Sequence, residues 1–259
     1  MTLFPLILAA ALAAAPAEPA QLGDEAKYDA CVMLAAGDPE KAIEQANAWR
    51  IAGGGVPARQ CLALAYVQQQ RWSSAAVAFE QAARDSEMAQ DGRSARLWVQ
   101  AGNARLAAKE AQPARNAFDK ALASGGLDGE MKGEAHLDRA RACVALGDMA
   151  AARGDLDAAL KLVPDDPLGW LLSATLARKM NDLPRAQKDI AEAVKRSPDD
   201  ASVALEAGNI AVLTGAPDAA RAAWQGAIAS QPNSDAAKAA AEALKALDAD
   251  TPAAAPPKP

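Results

Sequence analysis

The chain is poor in the residues on which most catalytic and nucleic-acid-binding proteins depend. Of 259 residues, five are Trp, three Phe and two Tyr; one is histidine and three are cysteine. An all-β sandwich would want many more aromatic and β-branched side chains to cover a pleated, half-buried surface. The single histidine, His136, and the three cysteines show no ligand spacing, so no metal is expected. There is no Gly-rich phosphate loop and no Ser/His/Asp or Cys/His arrangement, so neither a cofactor nor catalysis is expected. Basic excess is also missing: 27 Lys and Arg stand against 33 Asp and Glu, a net charge of −6. Without a basic cluster to neutralise phosphates, nucleic acid is not an expected partner. No stretch reaches the roughly 20 apolar residues that a membrane-spanning helix requires.

What is abundant is alanine, at 71 residues, within a hydrophobic share of 51%. That share is too high for a disordered chain. Alanine is the best helix former because it loses no side-chain entropy in a helix. The expectation is an all-α protein whose helices approach closely across small side chains. The length fits one or two domains, or one elongated array that no single core limits.

The N-terminus is set apart from the rest. Residues 3–15 are apolar and uncharged and lead into Ala15-Pro16-Ala17-Glu18. Such a run suits the hydrophobic part of a secretory signal peptide with a small-x-small cleavage site, although no Lys or Arg precedes it. The other reading, an alanine-rich first helix of the fold, would be interrupted by Pro16 and Pro19. A signal peptide over 1–17, cut before Glu18, and a linker over 18–22 are therefore expected. No cysteine at the end of the run offers a lipid anchor. The expected product is an exported soluble protein, periplasmic in a bacterium, with no transmembrane segment in the mature chain; an uncleaved N-terminus would instead leave it cytoplasmic.

Self-similarity dominates the remainder. Residues 133–166, 167–200 and 201–234 align without gaps at a period of 34. Position 8 is Ala140, Ala174 and Gly208; position 20 is Ala152, Ala186 and Ala220; position 27 is Ala159, Ala193 and Ala227. Position 24 is Leu156, Ile190 and Trp224, and position 32 is Pro164, Pro198 and Pro232. The frame extends upstream with copies beginning near 95, with Gly102, Ala114, Phe118 and Ala121 in the same columns, and near 56, with Ala63, Ala75, Phe79 and Ala82. A weaker copy begins near 23, where Trp49 departs from the small residue expected at position 27.

This pattern resembles the tetratricopeptide repeat, which places small residues at 8, 20 and 27 and Pro at 32. The resemblance implies a right-handed superhelical solenoid of about six helix-turn-helix repeats over 23–250. The apolar stretch after Asn233-Ser234-Asp235 reads as a capping helix over about 234–248, and the Pro/Ala-rich residues 251–259 as a disordered tail. It also implies a protein or peptide partner held on the inner face, which positions 2, 5, 6, 9, 12 and 13 of each first helix form. The residues expected to meet that partner are Gln100, Asn103, Leu106, Asp138, Arg141, Leu171, Glu206 and Asn209. Positions 5 and 12 form an aliphatic stripe that either receives apolar anchors or packs between repeats. One branch of the family clamps a C-terminal carboxylate with Lys at 5 and Asn at 9; here Asn103 is present but Val99 stands at 5.

In that frame His136 falls at position 4, a packing position. Cys31 and Cys61 fall on the inner faces of neighbouring first helices. In an oxidising compartment a disulfide between them is open to the chain; the other reading is two separate buried thiols. The functional expectation is a non-catalytic scaffold or assembly factor. The alternatives are a cytoplasmic co-chaperone or adaptor, and a polysaccharide-binding accessory module, which would need more groove aromatics than Tyr28. Oligomeric state is left open.

Overall fold

The computed structural model describes residues 23–250. The leader and linker expected over 1–22 and the tail expected over 251–259 lie outside the described residues. Among the described residues there are thirteen α-helices and no strand. The first six pair as α1 (Asp24–Gly37) with α2 (Pro39–Ile51), α3 (Gly55–Gln68) with α4 (Trp72–Ala89), and α5 (Ser94–Ala107) with α6 (Ala111–Ala123). The next six pair as α7 (Gly129–Ala145) with α8 (Met149–Leu162), α9 (Pro167–Lys179) with α10 (Leu183–Arg196), and α11 (Ala201–Leu213) with α12 (Pro217–Ser230). The single helix α13 (Asp235–Asp250) closes the series by packing on both α11 and α12. Each helix packs on the next in the chain, the all-α solenoid that the 34-residue period implies.

Local chemistry sets the helix ends. Asp148, Asp182 and Asp200 each accept a hydrogen bond from backbone N–H groups of the first turn of α8, α10 and α11, satisfying donors that have no partner inside the helix. Ser234 Oγ does the same for Ala237 at the start of α13. Between the two helices of a pair, position 15 takes the left-handed conformation: Gly147 at φ 78°, Asn181 at 61° and Gly215 at 75°. Gly and Asn tolerate that region, which lets the chain reverse within a few residues. Gln70 and Lys109 occupy the same position at φ 55° and 61°, so the turn overrides residue preference there.

The core is a set of small-residue columns. Position 20 (Ala42, Ala75, Ala114, Ala152, Ala186, Ala220) is wholly buried in every copy, and position 27 in the last five (Ala82, Ala121, Ala159, Ala193, Ala227). The larger residue at 24 fills the space this close approach leaves: Phe79, Phe118, Leu156, Ile190 and Trp224 are all buried. In two of the three pairs where an aromatic ring takes that place, the facing first helix gives way to glycine. A Cβ added to Gly102 would stand 2.6 Å from the Phe118 ring, and one on Gly208 would stand 2.3 Å from the Trp224 indole. Ala63 opposite Phe79 shows that a methyl fits in the second pair.

The first pair is built differently. Its buried residues are Cys31, Ala35, Ala42 and Ala46, with no large side chain among them. A disulfide joins Cys31 of α1 to Cys61 of α3, Cα to Cα 6.1 Å, across 30 residues. Closing a loop of that size stabilises by about 3–4 kcal/mol in the chain-entropy account, which offsets the sparse apolar burial of the terminal pair. Cys143 is a buried free thiol.

Two outcomes follow. Gly102→Ala lowers stability by about 1–3 kcal/mol through overpacking against Phe118. Gly154→Ala, in α8 with open space around it, raises it by about 0.5–1 kcal/mol through helix propensity; thermal unfolding reads both, and equal shifts contradict the column account. Dithiothreitol raises amide hydrogen exchange across α1 and α2 while α7 to α12 keep their protection; unchanged exchange in α1 and α2 contradicts the role given to the disulfide.

Candidate functional site

The first helices of the pairs lie side by side and form one face. Along it, α1 packs on α3, α5 on α7 and α9 on α11, while α3 and α5, and likewise α7 and α9, are set wider apart. The α1–α3 seam is crossed by the Cys31–Cys61 disulfide, and the other two close seams are tied by polar groups. Between α5 and α7, Asp138 accepts from Arg141 at 2.9 Å and from Asn103 across the seam. Burial pushes the Asp138 carboxyl up, opposed by those two donors. At the other, Arg178 Nε and Nη2 donate to the two oxygens of Glu206 at 2.6 and 3.1 Å, and Asn209 adds a weaker contact at 3.4 Å. A planar guanidinium matches a carboxylate in this two-point arrangement and fixes the spacing of the helices it joins.

The α7–α9 seam holds a pit of about 170 Å³ lined by Ala140, Arg141, Val144, Leu156, Leu172, Thr175, Leu176 and Lys179. Buried Leu156 and Leu176 form its floor, half-buried Val144 and Leu172 its walls. Arg141 and Lys179, both exposed, stand at its rim. Apolar surface left open between helices is a place for a side chain from outside.

The residues expected from sequence to meet a partner divide three ways. Asn103 and Arg141 are exposed; Gln100, Leu106, Asp138, Leu171 and Asn209 are half-buried. Leu106 packs against the Phe118 cluster and Leu171 against the core of α9 to α11. Glu206, at 6% exposure, is spent on Arg178 and is not open to a partner. The stripe at position 5 is largely inter-repeat packing, with Leu137 at 3% exposure. Leu172, Thr175 and Lys179 were missed. They occupy positions 6, 9 and 13 of the copy at 167, so reading the same columns through that copy would have found them.

The sequence and fold agree with what is known of other proteins. Two family models, both described as tetratricopeptide repeat, match residues 133–176 and 171–235. No curated protein matches the sequence closely enough to count as a relative. Solved structures do share the fold. One is PilW, described as a widely conserved type IV pilus biogenesis factor, with TM-score 0.68, 20% identity and coverage of 83% of this chain and 96% of that one. Another is Pseudomonas aeruginosa PilF, at 0.66 and 19%, covering 87% and 99%. A third is YrrB, described as a TPR protein with an unusual peptide-binding site, at 0.58 and 20%, covering 81% and 99%. The chain carries tetratricopeptide repeats over residues 133–235 and folds as an all-helical solenoid of that kind. Among the described residues no helix is long and apolar enough to cross a membrane.

One polar cluster lies away from the pit, between α7 and α8. Asp155, at 4% exposure, accepts from His136 Nδ1 at 2.8 Å and from Arg139 Nε and Nη2 at 2.9 and 2.6 Å. Burial alone would raise its carboxyl, but the bonds from His136 and Arg139 hold it below the usual range. Nearby Cys143 has its thiol pushed up by burial, the opposite of an activated nucleophile. The cluster therefore acts as a tie between the two helices. Because the Asp155 pKa is lowered on folding, its contribution is present above the unfolded value, about 3.9, and is lost as pH falls through the folded value. Asp155→Asn is expected to cost about 2–4 kcal/mol at pH 7 and to flatten the loss of stability between pH 4 and 2 in urea unfolding; an unchanged acid limb contradicts this assignment.

Proposed function

We propose that this protein is a non-catalytic scaffold or assembly factor that holds a protein or peptide partner against its inner face, in the periplasm of a bacterium. The observation that carries the proposal is the open pit between α7 and α9, apolar and rimmed by cations. It lies on a face where Asp138 and Arg141, and Arg178 and Glu206, are engaged with one another. A groove with an unfilled apolar place suits recognition of a polypeptide segment. The neighbours in fold support the same class: one is described by its peptide-binding site and another as a pilus biogenesis factor, descriptions that belong to those proteins.

The compartment rests on two features: the signal-like residues 3–15 and the disulfide between Cys31 and Cys61, a bond that persists in oxidising surroundings. Two measurements test the proposal. Mass spectrometry of the mature protein is expected to find Glu18 at the N-terminus, whereas an intact Met1 contradicts export. Affinity capture from envelope extract is expected to recover a defined partner with the wild type and several-fold less with Asn103→Ala/Arg141→Ala or with Thr175→Trp, which fills the pit. The same partners at the same yield from all three contradict the inner-face reading.

A further inference from the structure

We infer that the pit between α7 and α9 selects a polypeptide segment carrying an aliphatic side chain with an Asp or Glu two residues away. This inference rests on the inner-face reading and specifies its ligand. The size of the pit sets the anchor: about 170 Å³ is room for a single group, comparable with a core cavity of about 150 Å³ that accommodates benzene. Its floor of Leu156 and Leu176 and walls of Val144 and Leu172 offer an aliphatic group only apolar contact.

Charge sets the second group. Arg141 is already bonded to Asp138. Lys179, at the opposite rim, forms no ion pair among the described residues and is exposed. It lies in the last turn of α9, where the helix C-terminus favours a cation. A free ammonium beside an apolar pit complements a carboxylate and disfavours a Lys or Arg at that place. Spacing follows from the pleat of an extended chain: residues i and i+2 point to the same side, about 6.6–6.8 Å apart. An extended segment anchored in the pit would carry its next same-side residue about that far along, toward the rim where Lys179 stands. Thr175 Oγ1, also on the lining, can donate to or accept from the backbone between them.

The pit sits in the fourth and fifth of six helix pairs, with α5 on one side and α11 on the other continuing the face. That position suits a segment running through the groove, so the carboxylate is a side chain rather than a chain end.

Selection of a displayed library of random dodecamers on the full protein tests this. Wild type is expected to enrich aliphatic-x-Asp/Glu, and Lys179→Glu, an exposed change whose folding circular dichroism checks, to enrich aliphatic-x-Lys/Arg instead. In fluorescence anisotropy with the best selected peptide, Glu→Gln at the acidic position is expected to weaken binding by about threefold to fivefold, as for a partly exposed ion pair. Ala in place of the aliphatic anchor, or Thr175→Trp in the protein, is expected to weaken it at least tenfold. Enrichment of an aliphatic anchor with no acidic preference, or the same preference in Lys179→Glu, overturns this inference but leaves the groove as a peptide site. No enrichment of any sequence overturns both.

Discussion

Everything in this protein depends on how closely two helices of a pair can approach. Alanine at positions 20 and 27 and alanine or glycine at 8 bring the backbones together, and dispersion contacts at that distance supply cohesion that few large side chains could. One larger residue per pair, at position 24, then fills what remains. A chain with ten aromatic residues can build a solenoid because each repeat needs only one bulky side chain in the right place. The same economy exposes the ends. The first pair buries nothing larger than cysteine and is held by a covalent bond; the last is covered by α13, whose outward Lys238, Glu242 and Lys245 face water.

Close pairing within repeats leaves the spacing between them to polar groups. The Asn103, Asp138 and Arg141 set and the Arg178 and Glu206 pair draw neighbouring first helices together. Among the described residues no such tie joins α7 to α9, and that seam opens into the pit. The site thus lies at a seam that no ion pair closes. On the other side of α7, the Asp155 cluster joins α7 to α8 and keeps the wall of the pit in place.

Much of the fold could be read from sequence because close approach demands small residues at fixed intervals. Pro164, Pro198 and Pro232 marked the helix ends, and the alanine columns gave the frame. The turns were partly legible: Gly147, Asn181 and Gly215 announce a left-handed residue, whereas Gln70 and Lys109 do not, because tertiary packing imposes that conformation on side chains that disfavour it. The site was less legible. Glu206 was expected at the groove because its column faces inward, but a column does not show that Arg178 stands within reach one repeat earlier. The pit depends on a difference in spacing between two pairs of helices, which no single column records; Thr175 and Lys179 acquire meaning only beside Val144 and Leu172.

The central claim is that the inner face, at the seam between α7 and α9, is where this protein meets its partner. Site-specific photocrosslinking in the native cell tests it most directly, with a benzophenone side chain placed at Thr175 in one strain and at Val77, exposed on α4, in another. The account predicts a discrete higher-mass adduct from position 175 and none from 77. An adduct from 77 with none from 175 would contradict it.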